Sequence, residues 1–292
     1  MVESVERIAL VGGTHGTELT GVFLIKKFQQ SPHLIKRDGI KTITLLANPQ
    51  AVAMGRRYVD TDLNRAFNPQ DLDNPELINY EQSRAKVIAQ KIQQEKIDVI
   101  IDLHSTTANM GVTIILHNSH PYLLRLAAYL TETNPLVKIL QYPLNQDTPY
   151  LRSLVELGMT IEVGAIANGL LDARLFQQTE DVIHAILDYF AADKQGRLLS
   201  SPKSFTFYRV IEKVDYPRNQ NGGIEGMIHP QLQFQDYQPL DSGHPIFVTF
   251  DGKEIFYEGE STVYPVFINE AAYYEKGIAM YLTQKDEYNW EI

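Results

Sequence analysis

The chain has 292 residues, more than the roughly 100 to 200 of a typical single domain, so one large domain with a smaller appendage is the expected organisation. It contains no cysteine, which excludes disulfides, thiolate metal sites, iron–sulfur clusters and a cysteine nucleophile, and leaves any metal to His, Asp or Glu. With 26 basic against 36 acidic residues the formal net charge is −10, and no Lys/Arg run offers a footprint for nucleic acid or an anionic membrane.

The first ten residues, MVESVERIAL, lack a basic stretch followed by a long apolar one, and no window approaches the roughly 18 apolar residues of a membrane span, so a cytoplasmic protein is expected. Arg7 to Val11 reads as a buried strand broken by Gly12-Gly13, and apolar residues from Glu18 or Leu19 to Gln30 fall at helical spacing. Thr42 to Ala47 reads as a second strand, Pro75 to Glu95 as a long amphipathic helix with Pro near its start, and Val99 to Leu103 as a third strand. Strands over Gly111 to His117, Val137 to Leu140 and Met159 to Val163 alternate with helices over Pro121 to Thr131 and Leu175 to Tyr189. That alternation predicts an α/β fold with a mostly parallel sheet flanked by helices. The polar stretch Ala191 to Gly196 suggests a boundary near residue 198, giving domains over 1–198 and 199–292. Beyond it, short β-branched and aromatic segments such as Ser204 to Val214, His244 to Phe250 and Val263 to Ile268 predict a β-rich C-terminal domain.

His15-Gly16-Thr17-Glu18 places an imidazole and a carboxylate three residues apart at a strand-to-helix junction, where one helical turn would aim both the same way. The best third ligand is His104, at the C-terminal end of an apolar strand, the edge where open α/β sheets bind ligands. Two imidazoles and one carboxylate form the catalytic class of zinc site, with a fourth position open. Asp102 shares a strand face with His104 and is expected, if not a backbone carbonyl, to orient a ligand ring. The other histidines, His33, His117, His120, His184, His229 and His244, read as surface or packed residues, His117 being the one near the same sheet edge.

Arg56 to Arg65 carries three arginines in ten residues. It reads either as a solvated loop with local Asp–Arg pairs or as a carboxylate clamp in which Arg57 also stabilises an oxyanion. Glu162 sits among apolar neighbours at the end of a core strand, where it is either a general base with a raised pKa or the buried partner of an arginine such as Arg152. Tyr273 and Tyr274 follow an apolar strand and by themselves read as packing residues.

Taken in order, Gly13 to Gly21, Asp62-Leu63-Asn64-Arg65, Asp102 to Thr106, Ile161 to Gly164 and Tyr264 to Glu275 resemble the aspartoacylase family over nearly the whole chain. The resemblance implies a zinc carboxypeptidase-like catalytic domain and a β-rich C-terminal domain that narrows the entrance. It implies one zinc ion per subunit on His15, Glu18 and His104, with Glu162 as catalytic carboxylate and Arg57 polarising the acyl carbonyl. Asn64, Arg65, Arg152 and Tyr273 match residues that bind the amino-acid part of the substrate, and a homodimer or larger homo-oligomer is implied. The family's tyrosine four residues before that arginine is replaced by Thr148, with Tyr150 nearby, and Ala165 to Gly169 is less proline-rich than in the animal enzymes. The expected activity is hydrolysis of N-acetyl-L-aspartate, or another N-acyl-L-aspartate, to aspartate and a carboxylate. The alternatives are a deacylase for N-succinylglutamate or N-acyl aromatic amino acids, and a catalytically silent zinc-binding module.

Overall fold

The run Arg7–Gly12 forms β1, second from one edge of the main sheet, and the computed structural model describes residues 4–142, 150–197 and 204–290. In chain order follow α1 (Leu19–Gln30), β2 (Lys41–Leu46), α2 (Pro49–Met54), α3 (Pro69–Leu72), α4 (Tyr80–Gln94) and β3 (Val99–Ser105). Next come β4 (Gly111–Leu116), α5 (Pro121–Thr133), β5 (Val137–Gln141), β6 (Leu157–Gly164) and α6 (Ala173–Lys194). The remainder is β7 (Ser204–Val214), β8 (Gly226–Ile228), β9 (Pro245–Thr249), β10 (Glu254–Phe256), β11 (Tyr264–Val266) and β12 (Met280–Asn289).

Nine strands make one sheet in the order β11-β12-β7-β5-β4-β6-β3-β1-β2. The strands from β2 through β6 run parallel, β4 enters antiparallel to β6, and β5 lies parallel to β4. Parallel neighbours require crossovers, which the helices supply on both faces. Ile8, Leu10, Ile101, Leu103, Ile161 and Val163 face one layer with Leu24, Phe28, Leu126 and Phe190 of α1, α5 and α6. Their alternates Ala9, Val11 and Ile100 face the other, with Ala85, Ile88 and Ile92 of α4 and with Leu63 and Phe67. Because side chains alternate along a strand, Asp102, His104, Thr160 and Glu162 emerge on this second face.

Two expectations need correction. The helix read over Pro75 to Glu95 begins at Tyr80: Asn79 Oδ1 accepts from the Gln82 N–H (2.8 Å) and Gln82 Oε1 from the Asn79 N–H (3.2 Å). This reciprocal cap, worth about 1 kcal/mol, prevails over the Pro75 signal. The stretch Ala191 to Gly196 is helical through Lys194, and only Gly196, with φ +63°, turns the chain away. The β-rich C-terminal domain is present, and its long strands continue the main sheet: β7 pairs with β5 through Leu140–Tyr208 and Gln141–Arg209, and β12 and β11 extend the same sheet. A small sheet, β10-β9-β8, is added beside it around Tyr216, Ile228, Phe247 and Val263. The boundary expected at residue 198 lies outside the described residues. Among the described residues no helix is long and apolar enough to cross a membrane.

His117, just past β4, lies with Nδ1 3.0 Å from the Gly158 carbonyl oxygen and accepts from Asn118 Nδ2 at its other nitrogen (3.1 Å). Burial, reinforced by the Arg152 charge, pushes its pKa down to about 4. The unfolded chain takes up this proton near pH ~6.5, so it binds more protons than the folded state below that pH. Stability contributed by neutral His117 is therefore present above about pH 6.5 and is lost as the pH falls toward about 4. His117→Gln is expected to flatten that acid-side loss in pH-dependent chemical denaturation. An identical pH dependence in parent and variant would refute the assignment.

Candidate metal centre and active site

Between β1 and α1 the chain turns through residues 13–18, pinned by the Gly16 N–H donating to the Arg57 carbonyl (3.0 Å). A Cβ on Gly16 would lie 2.3 Å from the Ala51 backbone, so glycine is required for this approach. Gly21 likewise lets the first turn of α1 sit on the end of β3, where a Cβ would stand 2.8 Å from the Leu103 carbonyl oxygen. Those two contacts bring Glu18 to His104. The three-residue spacing of His15 and Glu18 is spanned by a turn closed by the Glu18 N–H on the His15 carbonyl (3.3 Å), not by the helical turn expected. Glu18 keeps non-helical φ/ψ of −89° and 78° immediately ahead of α1.

Both imidazoles turn Nδ1 toward Glu18: His15 Nδ1 lies 2.6 Å from Oε1 and His104 Nδ1 2.8 Å from Oε2. Their Nε2 atoms face other carboxylates, Asp62 Oδ1 at 2.9 Å from His15 and Asp102 Oδ2 at 2.8 Å from His104. Thr14 Oγ1 in turn donates to Asp102 Oδ1 (2.8 Å). A proton held on His104 Nε2 by Asp102 leaves its Nδ1 lone pair directed at the space beside Glu18, whereas His15 Nε2 lies 2.9 Å from both Asp62 Oδ1 and the donor Arg57 Nη2. Ligand atoms of the three buried residues lie within 4.8 Å of one another, and the donor set of two imidazoles and a carboxylate fits a divalent cation. Burial would raise the pKa of Glu18, but the two imidazoles outweigh it and hold the carboxyl well below its usual range.

The β3–β6 register sets Glu162 directly beside His104. Glu162 is 8% exposed and, among the described residues, has no hydrogen bond or ion pair, so the arginine pairing considered for it is not formed. Burial, with further repulsion from Glu18 and Glu270, pushes its pKa up to about 8 against the pull of His104 and Arg57. The other buried glutamates are all committed: Glu81 to backbone amides, Glu180 to Lys27 and Glu270 to Thr106 and Thr107.

One cavity is lined by His15, Glu18, His104, Glu162, Arg57, Asn64, Arg65, Arg152 and Tyr273, so all nine residues singled out in the sequence face one space. Arg57 Nη1 donates to Glu18 Oε1 (3.0 Å), and Arg57 lies 3.8 Å from Asp62, so the 56–65 segment combines a local Asp–Arg pair with cavity-facing arginines. Asn64 Oδ1 accepts from the Leu151 N–H (3.0 Å), tying this segment to the one that carries Arg152. Arg152 is 5% exposed; Nη1 donates to Thr160 Oγ1 (3.2 Å), and Nε has no hydrogen-bond partner among the described residues. Thr148 lies outside the described residues, whereas Tyr150 lines the cavity with its ring between two guanidiniums, Arg65 at 4.7 Å and Arg152 at 4.3 Å.

Two further carboxylates escaped the sequence reading. Asp62 faces His15 and accepts from Lys276 Nζ at 3.0 Å, and its place two residues before Asn64 is the only local sign of it. Glu270 enters from the C-terminal segment, bonding Thr106 Oγ1, the Thr107 N–H (2.7 Å) and Thr107 Oγ1 (2.9 Å), with no local pattern to mark it.

Residues 4–190 match the family described as "Succinylglutamate desuccinylase/Aspartoacylase catalytic domain", and residues 203–285 match the "AstE/AspA barrel-sandwich hybrid domain". A "Probable aspartoacylase" of Nostoc sp. is 53% identical over 99% of both chains. The chain belongs to the succinylglutamate desuccinylase/aspartoacylase family. Within that family it is also 39% identical, over 97% of its own length and 92% of the relative's, to the human "N-acyl-aromatic-L-amino acid amidohydrolase (carboxylate-forming)". The fold matches the crystal structure of murine aminoacylase 3 with a TM-score of 0.92, 37% identity and coverage of 99% and 98% of the two chains.

If His104 owes its orientation to Asp102, Asp102→Asn is expected to weaken divalent-cation affinity by about 10- to 100-fold. Competition between the protein and a chelator for Zn2+ measures this, and unchanged affinity would remove Asp102 from that role.

Proposed function

We propose that this chain is a zinc-dependent hydrolase of N-acyl-L-amino acids with N-acetyl-L-aspartate as its preferred substrate, releasing aspartate and acetate. One observation carries the reading: a partnerless buried carboxylate, Glu162, and an incompletely satisfied buried guanidinium, Arg152, face the same cavity as the His15–Glu18–His104 group. Burying such groups costs several kcal/mol unless a task or a ligand compensates. Membership of the family and the name of the Nostoc relative support the same reading.

His15, Glu18 and His104 would hold the zinc ion, which when bound supplies Lewis acidity that lowers the pKa of water and polarises the acyl carbonyl. Glu162 takes the proton of the attacking water as its oxygen bonds to the acyl carbon, then passes that proton to the amine nitrogen as the C–N bond breaks. Glu162, its pKa raised by burial to about 8, would lie closer to neutrality with a dication bound beside it, which suits a proton shuttle. Arg57 stabilises the negative charge that develops on the carbonyl oxygen. Arg152 and Arg65, braced by the Tyr150 ring, receive the two carboxylates of the aspartyl group in bidentate fashion, with Asn64 and Tyr273 completing the wall.

A second reading is favoured by the lining of Ile115, Tyr142, Phe267 and Tyr273, which suits an aromatic amino acid and accords with the name of the human relative. A substrate panel on zinc-loaded protein separates the two. N-acetyl-L-aspartate is expected to exceed N-acetylphenylalanine in kcat/KM by about 100-fold or more, because discarding the side-chain carboxylate leaves a buried arginine unpaired, and to exceed N-succinylglutamate, whose longer side chain shifts its carboxylate away from that arginine and whose acyl group adds a third carboxylate. The reverse order would establish the aromatic reading, and no hydrolysis of any of them would leave a silent zinc-binding module.

Glu162→Gln keeps the shape and the zinc ligands but cannot carry a proton. It is expected to lower kcat by about 100- to 10,000-fold with zinc content unchanged by elemental analysis. Near-normal kcat would remove Glu162 from the mechanism.

A further inference from the structure

Glu81 is the second residue of α4 and is fully buried, yet among the described residues no Lys or Arg pairs with it. Its Oε1 accepts from the Val59 N–H (2.6 Å) and from Asn48 Nδ2 (3.0 Å), and its Oε2 accepts from the N–H groups of Asp60 (2.9 Å) and Thr61 (3.1 Å). Three consecutive amides therefore converge on one carboxylate, the arrangement that backbone nests use for free anions. The positive end of α4 adds to its stabilisation. Those amides lie between Arg57 and Asp62, both of which contact the metal-ligand group.

Asn48 extends the connection. Its N–H donates to the Gly13 carbonyl (2.9 Å) just ahead of His15, and its Oδ1 accepts from the Ala51 N–H (3.1 Å) at the start of α2. Asp60 Oδ2 closes the circuit by accepting from the Tyr80 N–H (2.9 Å). Residues 57–61 lie in neither a helix nor a strand, so Glu81 is what fixes three of their neighbouring N–H groups at once.

We propose that Glu81 is a positioning residue for the reaction: its carboxylate fixes residues 59–61 and thereby aims Arg57 and Asp62 at the metal ligands, an inference that rests on the hydrolase reading. A carboxylate has the four acceptor sites this needs, whereas glutamine would turn an NH2 group onto amide donors.

The test is Glu81→Gln in the full-length, zinc-loaded protein. Displacing Arg57 should lower kcat by about 10- to 100-fold, with KM changing far less because Arg57 acts on charge that develops during reaction. Zinc content should be unchanged, and hydrogen exchange should accelerate by about 10-fold or more across residues 56–62 while the central strands stay protected. In an Arg57→Ala background the same change should cost at most about 2-fold, the coupling expected of a residue that acts through Arg57. Parental kcat, or a full multiplicative loss in that background, overturns the proposal. If Glu81→Gln does not fold, Asn48→Ser removes one donor while keeping a cap acceptor and should lower kcat by about 3- to 10-fold; unchanged kcat there also overturns it. If the parent hydrolyses no N-acyl amino acid, the hydrolase reading fails, and unchanged exchange over residues 56–62 then overturns the role of Glu81 by itself.

Discussion

The pairing of β3 with β6 is the constraint on which the site depends. A parallel register that matches His104 to Glu162, with Asp102 beside Thr160, puts two imidazole-facing carboxylates and a metal-type ligand on one face of adjacent buried strands. A slip of one residue by either strand would send its two polar side chains, Asp102 and His104 or Thr160 and Glu162, into the apolar layer occupied by α1, α5 and α6. Ile101, Leu103, Ile161 and Val163 forbid that slip, since they fill that layer and would be driven to the polar face. Apolar packing on one side of the sheet thus fixes polar geometry on the other.

Around that frame, buried charge is distributed with few unpaired groups. Asp102 and Asp62 are spent on the outer nitrogens of the two imidazoles, Lys27 answers Glu180, and backbone amides answer Glu81 and Glu270. Burial would raise the pKa of Asp62, but His15, Arg57 and Lys276 together hold it well below the ordinary range. What remains uncompensated is concentrated in one cavity, in Glu162 and in Arg152. Such concentration is the physical mark of a place where ligand and reaction complete what folding leaves open.

The C-terminal segment takes part in that cavity. Phe267, Glu270, Ala272 and Tyr273 line it, and Lys276 reaches Asp62, which itself faces His15. Glu270 fastens the segment to residues 106–107 at the end of β3, and Asp236 fastens it again through the Asn109 and Ile268 amides at 3.0 and 3.1 Å. Continuity of the sheet through β5 and β7 gives these contacts a common frame.

The residues by themselves determined the order of the longer strands and helices through Glu162, though not the short α2 and α3, because burial of each element's own face imposes a local period of two or 3.6. They also determined the donor chemistry: with no cysteine and with His15, Glu18 and His104 at element ends, an N/O metal site followed from residue types alone. The start of α4 was misplaced because a side-chain cap at Asn79 outweighs Pro75, a competition visible only once both partners are in place. Tertiary structure alone decided that Nδ1 of each imidazole faces inward, that β7, β12 and β11 continue the main sheet, that Asp62 faces His15, and that Glu81 and Glu270 bind backbone amides near the cavity. Each of these depends on partners far apart in the chain, Glu81 on residues 59–61 and Glu270 on residues 106–107, and such pairings leave no periodic trace in the sequence.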